Sequence, residues 1–503
     1  MTAVTEKPAV PGTVEEPGGA WKAVLALAVF ESRRLLTRVP VLVAFAVYLG
    51  WTVWRSGRTW GDYPALQDAD RATQSAPMLI GLAVLLSVNL AALRSRRHDT
   101  ERHFAVLVLP QWRRTAAHAL SVLSAALLTA VCVAGQFGRE ALRPGAIGHG
   151  SVGELLVGPL TVLLFGLFGL LVAGLVRSAP AAPLLVVLFL FLFLFFSGMN
   201  YEARWLLPAV EEGTLDTLPT DLMGRPAGWH ALYLAGLGLG LGLLAVLVAG
   251  GRRPAVFAGV AGALAMTLVG GVAQSAGDSP ELVKARERAT LHPEQVQTCV
   301  RRDGSTYCAF PEWGPRVADW AGVVDRVRSL AGGSAHEQHL VVRQRIEARY
   351  GLSGDAALTS LERPHEVTVG TQWGGNRVPE FSAAVAGVLI AGDEKAATSI
   401  CDGRMVPLMW LAVGWESDPL DALRRVRLDD TVTGSAYVLQ PTAGLYMTEA
   451  QTEVLRSLLD LSRGEAGARV KDHWNELTAP KVTAARAAEL LGLPAPEGED
   501  KCS

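Results

Sequence analysis

The segment CVRRDGSTYC, Cys299 to Cys308, carries the most specific chemistry in this sequence. Asp303-Gly304 is a dipeptide that favours the two-residue turn of a β-hairpin. Around that turn Arg302 faces Ser305, Arg301 faces Thr306, Val300 faces Tyr307 and Cys299 faces Cys308. Counted outward from the turn, the cysteines form a non-hydrogen-bonded pair, with Cα atoms ~4.5 Å apart. A disulfide accepts that spacing, and disulfides persist outside the cytosol. The alternative is two free thiols or half of a metal site. Cys132 falls in an apolar stretch and is expected to pack there. Parity alone suggests a second bridge between Cys401 and Cys502.

Other candidate chemistry is sparse. His336 and His339 form an H-x-x-H pair around Glu337, but there is no H-E-x-x-H and no further ligand at a telling distance, so a solvated polar stretch is expected and no metal site. Ser360 and Ser382 lack the G-x-S-x-G context of a nucleophile. No G-x-x-x-x-G-K-[ST] loop is present, so P-loop nucleotide binding, and with it an enzymatic role, is not expected of this chain. No cofactor is implied. A net charge of -2 argues against nucleic acid as the main partner.

These residues sit on a chain of 503 residues that is 50% hydrophobic and 19% charged, with charge sparse before Ser275 and ordinary after it. That split predicts a membrane all-α helical bundle followed by a mixed α+β domain that is mostly helical. Residues 1–20, rich in Pro, Glu and Gly, are expected to be a disordered tail without the apolar core of a cleaved signal. Trp21 to Arg38 is interrupted by Glu31, Arg33 and Arg34 and suits an interfacial helix. About seven apolar stretches follow, near residues 40–54, 76–93, 116–135, 154–176, 181–198, 228–250 and 254–271. A run of ~20 apolar residues matches the hydrocarbon thickness of a bilayer. The pattern predicts six or seven transmembrane helices.

Within these stretches Ser87, Asn89, His118 and Ser121 are expected to bond helix to helix rather than to line a path. Phe189, Phe193 and Phe196 share one face, expected toward lipid, with an apolar substrate cavity as the alternative. The glycines of GLGLGLGLL allow close helix packing. Arg33, Arg34, Arg38, Arg94, Arg96, Arg97, Arg102, Arg113, Arg114, Arg177, Arg252 and Arg253 lie on one set of flanks, with fewer on the other. The positive-inside rule then places the N-terminus in the cytoplasm and residues 276–503 outside the plasma membrane.

In the second half, Pro315 to Leu330 has helical spacing, Leu340 to Glu347 and Glu366 to Thr371 read as strands, and Phe381 to Ala391 and Met405 to Val413 are too short to span. Thr448 and Gln451 fit a capping box opening a helix through about Ser462. Two further helices are expected near Ala466 to Leu477 and Thr483 to Leu491, with Gly492 as a stop.

The layout of Trp21 to Gly250 resembles an ABC-2 type exporter permease, in architecture rather than by a short motif. An interfacial helix precedes the first span, a basic segment joins spans two and three, and a loop with amphipathic pieces separates spans five and six. The resemblance implies a transmembrane domain over 21–275 and a cytoplasmic coupling segment over 94–115 that docks on a separate P-loop ATPase subunit. Asp99, Glu101, Arg102 and His103 would supply its polar contacts, and Phe104, Val106, Leu107 and Leu109 its apolar ones, with Pro110 ending the helix. Such arginines also suit anionic headgroups. The resemblance further implies a homodimer or paired permease in the lipid bilayer, moving an amphipathic or hydrophobic substrate. The seventh span and the 276–503 domain depart from the family. The alternative is a membrane-anchored sensor or interaction protein with a ligand-binding outer domain.

Overall fold

The computed structural model describes residues 17–56, 63–97, 109–176, 178, 180–197, 202–210, 217–351 and 358–501. Its first half is built from α1 (Pro17–Leu36), α2 (Val39–Ser56), the short α3 (Leu66–Arg71), α4 (Pro77–Ala92), α5 (Gln111–Ala141), α6 (Val152–Leu175), α7 (Ala181–Ser197), α8 (Ala227–Val248) and α9 (Pro254–Gln274). The apolar stretches read from the sequence thus become helices at nearly the expected bounds. Their lengths and composition differ. α5, α6, α8 and α9 are long and apolar enough to cross a bilayer, and the α1–α2 pair, bent by 60°, makes a fifth if it crosses once. The apolar helices Pro77–Ala92 and Ala181–Phe195 are shorter.

The helices pack as the small residues allow. Gly236 of α8 abuts α9 so closely that a Cβ there would stand 2.6 Å from the Thr267 nitrogen. Leu35, Val41 and Tyr48 of the bent pair, Ile80 and Val84 of α4, Val122 of α5 and Val162 of α6 share one apolar core. The outward faces are apolar too. Leu42, Val47 and Val53 of α2, Leu184, Phe191 and Leu194 of α7, and Leu264, Leu268 and Val272 of α9 are all exposed. Apolar surface on that scale fits lipid rather than water. The aromatic face of α7 is corrected here. Phe189 stacks edge to face on Phe165 at 5.1 Å and Phe168 at 5.7 Å, and Phe193 packs in the same cluster, so these two turn into the bundle, while the Phe196 side chain lies outside the described residues.

α1 is laid along the start of α5. Trp21 meets Trp112, Val24 and Ala28 meet Ala117, and the Ser32 hydroxyl reaches the Ser121 carbonyl at 3.5 Å. Pro110 precedes α5 as its N-cap, and the helix then runs unbroken for 31 residues, ~46 Å at 1.5 Å per residue.

The second half opens with α10 (Pro280–Leu291) and the hairpin β1 (Thr298–Arg302) and β2 (Ser305–Ala309), in the register read from the sequence, Cys299 opposite Cys308. These two cysteines are bonded, with Cα atoms 4.0 Å apart. α11 (Val317–Leu330) then crosses to β3 (Val341–Gln344), parallel to β2, and β4 (Glu366–Val369) adds parallel to β3. α12 (Arg377–Ala391) and α13 (Met405–Val413) are core helices, every residue of α13 being buried. β5 (Ala436–Val438) and β6 (Leu445–Met447) form a small second sheet. α14 (Glu449–Leu459) starts at the expected capping box of Thr448 and Gln451. α15 (Arg463–Asp472) and α16 (Ala484–Leu490) follow, and Gly492 ends the run at φ +60°. Cys401 is also disulfide-bonded, while Cys502 lies outside the described residues.

Candidate functional site

Ile147, Leu218, Leu222 and Met223, from loops of the bundle, belong to the same apolar core as Trp313, Trp320 and Phe310 of the second half. The polar domain is therefore packed onto one end of the bundle. Hydrogen bonds fasten the joint. Gln67 of α3 donates to the Leu218 carbonyl at 3.1 Å and to Glu312 at 3.2 Å, and Glu312 accepts the Thr220 N–H at 3.0 Å. Arg286 of α10 donates to the carbonyls of Leu222 and Met223, each at 2.7 Å, and pairs with Asp278 at 2.5 Å. The Arg316 guanidinium lies 4.0 Å from the Tyr63 ring centroid.

Beneath this joint lies a buried charge network. Glu154, in the first turn of α6, accepts Arg225 Nε at 2.6 Å and Nη2 at 3.3 Å. Both side chains are 4% exposed. Gln74 donates to the same carboxylate, and the Arg225 guanidinium also lies over the Trp205 ring at 5.0 Å. The Trp205 carbonyl accepts Gln274 Nε2 at 2.8 Å, and Gln274 Oε1 meets His230 Nδ1 at 2.9 Å. Desolvation of a buried pair offsets its attraction unless further hydrogen bonds satisfy both groups. Here they do, so the pair holds Arg225 against α6, and Gln274 holds Trp205 against the end of α9. Nearby, Asp70 of α3 accepts the Ser151 N–H at 2.6 Å through Oδ2, while its buried Oδ1 has no partner. Burial pushes the Asp70 carboxyl up to about 7, against the Ser151 hydrogen bond, and the negative charge of Glu154 adds to the rise.

The opposite end of the bundle is basic. There Glu31 of α1, 6% exposed, accepts Arg94 Nη2 at 3.1 Å. Arg94 opens the helical turn that follows α4, so the start of the 94–115 segment is tied to α1. A cavity of about 10 Å³ beside this pair is lined by Glu31, Arg38, Ser87, His118 and Ser121. It has room for about one water, and the buried Ser87 hydroxyl has no partner. Asn89 instead donates to the Gly169 carbonyl of α6 at 3.0 Å, a helix-to-helix bond as expected. The coupling residues read from the sequence, Asp99, Glu101, Arg102, His103, Phe104 and Leu107, lie outside the described residues.

On the polar domain, His336 and His339 are parted. His336 lines a cleft of about 460 Å³ with Asp325, Arg328 and Lys471, whereas the His339 ring packs on Gly304. Among the described residues no three His, Cys, Asp or Glu side chains gather as metal ligands. Ser360 bonds Thr442 and Ser382 bonds the Val378 carbonyl.

Sequence reasoning missed Glu31–Arg94 and the Asp70–Glu154–Arg225 network. The available signal was an acidic residue at the edge of an apolar run, which in a bilayer calls for a named partner. Comparison with family models, with curated proteins and with solved structures finds no match to this chain, so its function rests on the geometry of these two polar ends.

Proposed function

We propose that the chain is the membrane-spanning subunit of an ATP-driven exporter of the ABC-2 type, moving an amphipathic or hydrophobic substrate with energy from a separate ATPase. The observation that carries this reading is the continuity of α5. It begins at Gln111, within the 94–115 segment, and ends beside loop 142–151, whose Ile147 enters the core of the polar domain. A rigid helix of that length transmits displacement from one end of a bundle to the other. The Glu31–Arg94 pair ties the same segment to α1, so a push on it would move α1 and α5 together.

In this reading the basic end faces the cytoplasm. Arg94, which pairs with Glu31, and Arg113, Arg252 and Arg253 flank it. The larger number of arginines on that set of flanks is the bias that orients membrane proteins. α4 and α7, though short, would complete seven crossings, and the Cys299–Cys308 bridge suits an oxidising exterior. The working unit would be a homodimer or paired permease with two ATPase subunits. Affinity purification from native membranes is expected to bring down a P-loop ATPase in stoichiometric amount; repeated recovery without one refutes the exporter. Charge reversal at Glu101 and Arg102 is expected to leave ATP hydrolysis running while export stops.

The cleft lined by Asp325, Arg328, His336 and Lys471 favours a second reading, a membrane-anchored sensor whose outer domain binds a charged ligand. That protein would respond to ligand with no ATPase present.

A further inference from the structure

Three segments remote in sequence converge at the basic end. Trp21 of α1 and Trp112 of α5 meet edge to face at 6.4 Å. In the turn between α8 and α9, Arg253 places its guanidinium over the Trp112 ring at 4.6 Å, and Arg113 approaches the same ring at 5.2 Å. Gly251 closes the turn onto Trp112, where an added Cβ would stand 3.2 Å from the tryptophan Cβ. Residues 21–30, 109–121 and 246–259 contribute Lys22, Arg113, Arg114, Arg252 and Arg253 and no carboxylate. Lys22, Arg252 and Arg253 are exposed.

The chemistry of this cluster is specific. A guanidinium laid on an indole face keeps its in-plane N–H donors free to point outward. That fork matches phosphate oxygens, and the bonds are charge-assisted. Tryptophans at the ends of apolar helices sit at headgroup depth. Exposed Leu25 of α1 and Phe257 of α9 extend apolar surface away from the arginines, where an acyl chain would lie. We propose that this cluster binds the phosphate headgroup of an anionic phospholipid, with Arg252 and Arg253 as its ligands and Trp112 as the platform that holds Arg253.

The site rests on the reading that the bundle lies in a bilayer, and the test separates the two. Extraction of the chain from membranes by alkaline carbonate refutes the bilayer reading itself. If the chain resists extraction, the full-length protein is purified in detergent and titrated with phosphatidylglycerol or phosphatidylcholine, and retained lipid is read by native mass spectrometry. Phosphatidylglycerol is expected to bind at least tenfold more tightly. Each arginine lost in Arg252→Gln and Arg253→Gln is expected to weaken it about fivefold. In the unaltered protein raised salt is expected to lower the preference, a readout that needs no variant to fold. Equal retention of both lipids, or a preference indifferent to salt, overturns the proposal. Displacement of the lipid by millimolar inorganic phosphate reassigns the site to a soluble anion and overturns it too. So does a doubly substituted protein that keeps its lipid preference but no longer holds an ATPase, since the surface then belongs to a protein partner.

Discussion

Asp70 shows how a single buried group makes stability depend on pH. Its folded carboxyl titrates near 7, against ~4 in the unfolded chain. Between those values the folded protein binds a proton that the unfolded chain has released. This contribution is therefore full below pH ~4, falls as the pH rises to about 7, and is absent above. Asp70→Asn is expected to flatten the melting temperature across that window and to raise it near pH 8, by the equivalent of ~1–3 kcal/mol. An unchanged slope in detergent-purified variant assigns the titration elsewhere. Arg225 poses the complementary case. Arg225→Ala leaves Glu154 buried without its cation, at a cost of ~3–5 kcal/mol. The double variant Glu154→Gln/Arg225→Met is expected to lose less than Arg225→Ala alone, as thermal unfolding of the three proteins can test.

At the scale of elements, close approach and covalent closure make separable predictions. Gly236→Val drives a side chain into the Thr267 backbone, which cannot yield, so α9 is expected to part from α8. Gly262→Ala on α9 itself meets nothing within 4 Å and is expected to be silent. Disulfide trapping between engineered cysteines on the two helices reads both. Cys299→Ala opens a loop with a sequence separation of 9, and the loss is expected to be ~2–3 kcal/mol in the chain-entropy account. A larger loss in reductant-controlled melting means that the bridge holds more than its own hairpin. The hairpin register was readable because turn chemistry and a two-residue period are local. So were the core helices α12 and α13, too short to span yet mostly apolar. The inward face of α7 was not, because a uniformly apolar helix carries no periodic mark of which side meets protein.

Over the whole molecule, two ends of opposite character are joined by one long helix. The basic end gathers Glu31–Arg94 and the paired tryptophans. The other end is sealed to a domain by Gln67 through Glu312, by Arg286 and by Arg316, so that domain and bundle form one packed body. Protease added to intact cells is expected to cut residues 276–503, and cleavage confined to inverted vesicles reverses the orientation. A chain ending at Gln274 would expose Ile147, Leu218 and Leu222 to water, and is expected to aggregate when its extraction is compared with that of the full chain.

Composition and periodicity alone determined that an apolar helical half precedes a mixed polar half, where most helices begin and end, and which two cysteines face each other. Those properties depend on neighbours within a turn or a hairpin. Only the tertiary structure decided which charges pair and what the second half rests on. Gln67 and Glu312 stand 245 positions apart, and Glu154 and Arg225 stand 71 apart. No local pattern records a partner at that distance, because pairing there is set by how whole helices pack rather than by the residues beside each charge.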